Sequence, residues 1–172
     1  MTRHRIHDAL RRLLGASAGH RYYPLVVGLI AFASTATFSF PFVVVLIPAV
    51  LIAPRRWLIL GLLSGVASGI GGAVLVEVFN TLGREVAMAR FPQLIASANW
   101  QLVSGWLDAY GLFALMLVAG SPMPQTPVIF FYSLANPSVP GVLLAVGVGK
   151  TVKYVFLAWL CSHYPARFAQ YR

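Results

Sequence analysis

Residues Gly28–Pro54 read GLIAFASTATFSFPFVVVLIPAVLIAP, and residues Gly111–Pro137 read GLFALMLVAGSPMPQTPVIFFYSLANP. Laid over one another without a gap, at an offset of 83, they share eight of 27 positions: Gly28, Leu29, Ala31, Ala36, Pro41, Val45, Leu51 and Pro54 meet Gly111, Leu112, Ala114, Ala119, Pro124, Val128, Leu134 and Pro137. Apolar composition alone does not readily give that score, and the two prolines keep the same 13-residue separation in each copy. Proline removes a backbone donor and clashes with the preceding turn, so neither stretch reads as one straight helix. The pattern is a repeat with a Pro-broken apolar unit in each half, which in many transporter folds marks the central site.

The rest of the chain sets the solvent. Of 172 residues 59% are hydrophobic and 10% charged, a balance that a water-facing surface does not tolerate. No Asp, Glu, Lys, Arg or His occurs from Tyr22 to Pro54, from Trp57 to Val76 or from Ala109 to Gly149. Each stretch reaches the ~20 apolar residues that cross a bilayer core. The expectation is therefore an all-α, polytopic integral membrane protein. A cleaved signal peptide is the rival for the first stretch, with Ala31 and Ala33 as an A-x-A-like site. The long basic lead-in and the later apolar segments argue against it.

The formal charge of +9 invites a nucleic-acid partner, but the basic residues sit at the ends of apolar segments rather than along one face. Arg3, Arg5, Arg11, Arg12 and Arg21 precede the first stretch, and Arg167 and Arg172 follow the last. That is a positive-inside pattern, with both termini cytoplasmic and anionic lipid headgroups as partners. Cys161 stands alone, which excludes an internal disulfide and a Cys-pair metal site.

Residues 1–21 form a basic amphipathic segment, with Ile6, Leu10, Leu13 and Leu14 on one helical face, suited to the membrane surface. Residues 22–168 form one membrane domain, its first repeat spanning about 22–82 and its second about 83–168, and 169–172 is a basic tail. Taken alone, the run from Leu25 to Ala53 fits a kinked crossing or a re-entrant hairpin. The charge rule does not separate them, because Arg55 and Arg56 simply exchange sides with Arg84 and Arg90. After Pro54 comes a straight candidate helix, Trp57 to Phe79, and after Pro137 another, Val139 to Cys161. A second amphipathic stretch carries Leu94, Ile95, Ala98, Leu102 and Trp106, with Pro92 near its start. One crossing helix per repeat makes the repeats inverted: amphipathic helix, re-entrant Pro-broken segment, transmembrane helix, twice.

Several residues are candidates for function. Gly61, Gly65 and Gly69 recur every four residues and suit close helix packing, within one molecule or in a homo-oligomer. Lys150 and Lys153 fall near the middle of the last helix, where a charge costs roughly 2.5–3.5 kcal/mol on insertion scales. Lys150 is about eleven residues, roughly 16 Å, from either helix end, which strains a snorkelling explanation. Glu77 and Asp108 are the candidate ion-pair or proton-linked partners. Gly120, Ser121, Pro122, Pro124, Gln125 and Thr126 make the most polar, least helical passage inside an apolar stretch and are the first choice for substrate binding, with Pro41 in the counterpart unit. Backbone donors at a broken helix favour an anion such as phosphate. Soluble-enzyme motifs and paired carboxylates are absent, so no enzyme activity and no cofactor are expected. His4, His7 and Asp8 lie together, but a basic terminal segment is a poor metal site, and no metal is expected.

The Pro-broken unit leading into Pro54, Arg55, Arg56 and Trp57, the Gly-rich helix Ser64 to Gly72, Tyr110 with Gly111, and Gly149, Lys150, Lys153 and Tyr154 together resemble the DedA/VTT family, also called the SNARE-associated Golgi protein family. The likeness runs from about Leu25 to Phe168 and is greatest to the small bacterial YqaA-like branch. It implies inverted repeats with re-entrant loops, an inner-membrane location, and translocation of phosphate-bearing lipids, phospholipid or polyprenyl phosphate. Where many members carry an acid in the first broken unit and an Arg at the start of the second, Phe38 to Pro48 holds no acid and Ala119 to Pro124 no base. A translocase or scramblase is thus one expectation. A non-transporting membrane assembly or envelope-maintenance protein, acting through its glycine face, is the other.

Overall fold

The computed structural model describes residues 21–37, 41–83, 98–122, 125–134 and 138–164, together with 85 and 89. The N-terminal amphipathic segment, His4, His7, Asp8, Phe38 to Phe40, Arg84, Arg90, Pro92, Pro124, Pro137 and the basic tail lie outside the described residues. Six α-helices and no strand are found among those described: α1 (Tyr23–Thr37), α2 (Val43–Ile52), α3 (Trp57–Val78), α4 (Ala98–Gly120), α5 (Thr126–Leu134) and α6 (Val139–His163). A 3₁₀ turn, Pro54–Arg56, leads into α3, and a π turn, Phe79–Gly83, extends it.

Two pairs of helix ends recur at an offset of 83. Thr37 and Gly120, which close α1 and α4, are 83 apart, as are Val43 and Thr126, which open α2 and α5. Pro41 stands two residues ahead of α2, a place where a missing backbone donor costs little. Pro48 is instead carried inside α2, where Tyr23 donates its hydroxyl to the Ala49 carbonyl at 3.0 Å. Ala98, Leu102 and Trp106, read in sequence as a separate amphipathic helix, form the first turns of a continuous α4, since no proline interrupts the chain between Ala98 and Gly120.

The long helices α3 and α6 form the centre. A Cβ on Gly61 would lie 2.8 Å from the Val155 Cα, one on Gly65 2.5 Å from the Thr151 Cα, and one on Gly69 2.8 Å from the Gly147 Cα. Four residues forward on α3 is four residues back on α6, so the pair is antiparallel and the glycine face is buried within this chain. Each shorter unit then docks by one recurring contact. Gly71 of α3 lies against the Phe32 carbonyl, Thr35 Cβ and Ala36 nitrogen of α1, and Gly149 of α6 against the Met116 carbonyl, Ala119 Cβ and Gly120 nitrogen of α4. Ser68 reaches the Ala31 carbonyl at 3.5 Å, and Gly141 faces Leu112. Hence α1 runs parallel to α3, and α4 parallel to α6. The registers differ: Gly71 meets a residue 36 earlier and Gly149 one 30 earlier.

Two apolar clusters result. Tyr23, Val27, Phe42, Val45 and Leu46 pack with Leu60 near the start of α3 and with Tyr154, Ala158 and Cys161 near the end of α6. Leu115, Ile129 and Tyr132 pack with Leu75 and Val76 near the end of α3 and with Val142 and Val146 near the start of α6. The outer faces are apolar as well. Leu58, Leu62, Val66, Ile70 and Val74 on α3 and Leu144, Val148, Val152 and Phe156 on α6 are exposed at four-residue steps, far more contiguous apolar surface than a water-soluble monomer presents. Both long helices have the length and composition to cross a membrane.

Candidate functional site

Helix α6 places Lys150 and Lys153 one turn apart, directly beyond Gly149. The missing side chain of Gly149 lets the last turn of α4 come against α6: a Cβ there would meet the Met116 carbonyl and lie 3.1 Å from the Gly120 nitrogen. Gly120 faces Gly149 with more room, its Cβ position falling 3.5 Å from the Gly149 carbonyl, an ordinary contact. The end of α4 is thereby held within reach of both lysines.

The two ammonium groups go to different halves of the protein. Lys150, 8% exposed, donates from Nζ to Thr35 Oγ1 at 2.7 Å, and that hydroxyl donates to the Ala31 carbonyl at 3.0 Å. Lys153, half-buried, donates from Nζ to the Ser121 carbonyl at 2.5 Å. Thr35 lies in the last turn of α1 and Ser121 directly follows α4, so each lysine meets the C-terminal end of a helix that runs into a break. Helix C-termini carry partial negative charge, which makes them natural partners for ammonium groups. The helix ends that meet the two lysines are C-terminal poles, and the positive groups at the site are the lysines themselves.

Glu77 and Asp108 stand exposed on α3 and α4. Among the described residues neither is joined to Lys150 or Lys153, whose ammonium groups are held by neutral oxygens. The remaining sequence candidates fall around the second break. Ser121 is half-buried, and its hydroxyl donates to the Val118 carbonyl at 2.9 Å. Pro122 is an exposed bend residue, Thr126 opens α5, and Pro124 is outside the described residues. Gln125 precedes α5, and its Oε1 is buried with no hydrogen-bond partner. Pro41 is exposed just ahead of α2, whose N-terminal Phe42 packs against Tyr154 with ring centroids 5.1 Å apart.

Sequence reasoning missed Thr35 and Ser64. Thr35 sits in the run Ser34-Thr35-Ala36-Thr37, where hydroxyls interrupt an otherwise apolar stretch, a signal masked by attention to the prolines. Ser64 is fully buried in α3, and its Oγ, like Gln125 Oε1, has no hydrogen-bond partner among the described residues. Chemically, the site offers two lysine amines with hydroxyl and amide groups near the ends of α1 and α4, a set suited to holding an oxyanion.

Elsewhere, Leu102, Trp106, Leu107, Tyr110, Gly111 and Ala114 of α4 line an open groove of about 460 Å³. Its lining carries no titratable group except the Tyr110 phenol. When the chain is compared with known proteins, no family model, no curated protein and no solved structure matches it.

Proposed function

We propose that this chain is a membrane lipid translocase of scramblase type, moving phosphate-bearing lipids between leaflets, with Lys150 and Lys153 as headgroup ligands. The observation that carries the reading is a pair of lysines in the middle of α6 whose ammonium groups, among the described residues, are held by neutral oxygens at the C-terminal ends of α1 and α4. A charge at mid-membrane is costly and is seldom kept without a counter-charge, and a lipid phosphate passing through supplies one.

We read the halves as inverted repeats. The coincident helix ends, the antiparallel α3 and α6, and the parallel pairs α1 with α3 and α4 with α6 support a two-fold relation with its axis in the membrane plane. Since α1 and α3 both start at the same end of the bundle, the segment between them returns to the side it left, which favours a re-entrant first unit over a kinked crossing. Arg21, Arg55 and Arg56 share that end with His163, whose ring lies 6.2 Å from Trp57, in keeping with cytoplasmic termini at a bacterial inner membrane. This architecture also supports placing the chain near the DedA/VTT family, as its motifs suggest.

The test is reconstitution. Purified protein in liposomes should speed loss of dithionite-sensitive reporter phospholipid from the inner leaflet, in both directions and without nucleotide. If several phosphate-bearing lipids, polyprenyl phosphate included, move no faster than in empty liposomes with or without a proton gradient, the assembly-protein reading replaces this one.

A further inference from the structure

Tyr154 stands one turn beyond Lys150 on α6 and is buried. Its ring packs on Phe42, directly ahead of α2, with centroids 5.1 Å apart, inside an apolar cluster that a phenylalanine would fill equally well. The hydroxyl is the part that packing does not explain, because a buried phenol needs a partner. It has one: Tyr154 hydrogen-bonds the Ser68 side chain on α3. Ser68 in turn reaches the Ala31 carbonyl of α1 at 3.5 Å, and the same carbonyl accepts from Thr35 Oγ1 at 3.0 Å. Thr35 is the acceptor of Lys150.

Each hydroxyl has a single proton, which fixes the direction of every bond. An ammonium only donates, so Thr35 accepts from Lys150 and gives its own proton to Ala31. Ser68 also gives its proton to Ala31 and is left to accept from Tyr154. The bonds make a closed circuit that leaves α6 at Tyr154, crosses α3 and α1, and returns to α6 at Lys150. Lysine is a point charge on a flexible four-carbon stem, and such a group serves a binding site only where its neighbours hold it in place. Lys153 lies outside the circuit, since its acceptor is the Ser121 carbonyl.

We propose that Tyr154 is a positioning residue for Lys150: through Ser68 it anchors α1 at the Ala31 carbonyl, and so fixes the Thr35 hydroxyl and the place of the ammonium that receives a lipid phosphate. The inference rests on the translocation reading for the identity of that anion and adds the residue that sets the geometry.

Lys150 and Lys153 are the only lysines in the chain, so the full protein, isotope-labelled at the lysine Cε and held in maltoside micelles, gives one magnetic-resonance signal for each, assigned with Lys153→Met. Tyr154→Phe and Ser68→Ala should each move the Lys150 signal and leave that of Lys153 in place. The double variant should move it no further than either alone, because both cut the same circuit. After reconstitution, each variant should raise the mole fraction of phosphatidic acid at half-maximal lipid movement by about two- to ten-fold, the factor for one ordinary hydrogen bond, with the maximal rate retained. A Lys150 signal unmoved in both variants, shifts that add in the double, or an unchanged half-saturating fraction overturns positioning by Tyr154. The expected shifts in protein that moves no lipid at any composition sink translocation instead and leave the circuit standing, so the two failures are distinguishable.

Discussion

At the scale of the residue, the site depends on which oxygen holds each ammonium. Removing a deep charge eases insertion by roughly 2.5–3.5 kcal/mol, so Lys150→Met and Lys153→Met should reach normal membrane abundance while lipid movement in reconstituted vesicles is lost. Undiminished movement in the double variant would return both lysines to a snorkelling role. Thr35→Val keeps the shape of the side chain but removes the acceptor of Lys150. It should lower stability by about 1.5–3 kcal/mol, the usual worth of a hydrogen bond to a charged group. In a Lys150→Met background the same substitution should cost far less, and thermal unfolding in detergent across this double-mutant cycle measures the coupling. Equal costs in both backgrounds would deny the Lys150–Thr35 bond.

Among elements, the α3–α6 seam is the part least able to accept added volume. Gly65→Leu places a branched side chain where even a Cβ would stand 2.5 Å from the Thr151 Cα. Overpacking of this kind should cost about 1–3 kcal/mol or more, read as a lowered unfolding temperature and lost monodispersity. Val66→Leu, one position along on the outward face and 55% exposed, should be silent, because it meets lipid rather than helix. If instead the glycine face served only to join two copies, Gly65→Leu would leave the monomer's melting unchanged and alter only oligomeric state.

For the whole molecule, the parallel and antiparallel pairings fix which ends lie together. Single cysteines at Tyr22, Arg55 and Tyr164, in a Cys161→Ser background, should be labelled from one side of the membrane and one at Leu82 from the other. Under the positive-inside rule the first side is the cytoplasm. Labelling of position 55 from the opposite side to position 22 would replace the re-entrant first unit by a crossing. The groove on α4 and the exposed apolar stripes of α3 and α6 need no protein partner in this arrangement, since hydrocarbon covers such faces at no cost.

The sequence by itself determined an all-helical chain with two long apolar helices and put Lys150 and Lys153 within the second of them. Composition, charge-free length and proline placement are local properties that need no knowledge of the fold. It also carried the 83-residue correspondence, because α2 and α5 each open two residues after a matched proline, Pro41 and Pro124. Only the tertiary structure decided who meets whom. The direction of α1 relative to α3, the merging of Ala98 and Trp106 into one α4, the different registers of the two docking contacts, and the choice of Thr35 and the Ser121 carbonyl over Glu77 and Asp108 all arise from long-range packing. A lysine's reach covers many oxygens, and which one it finds is set by where Gly71 and Gly149 let neighbouring backbones approach, which hydropathy and spacing along the chain do not encode.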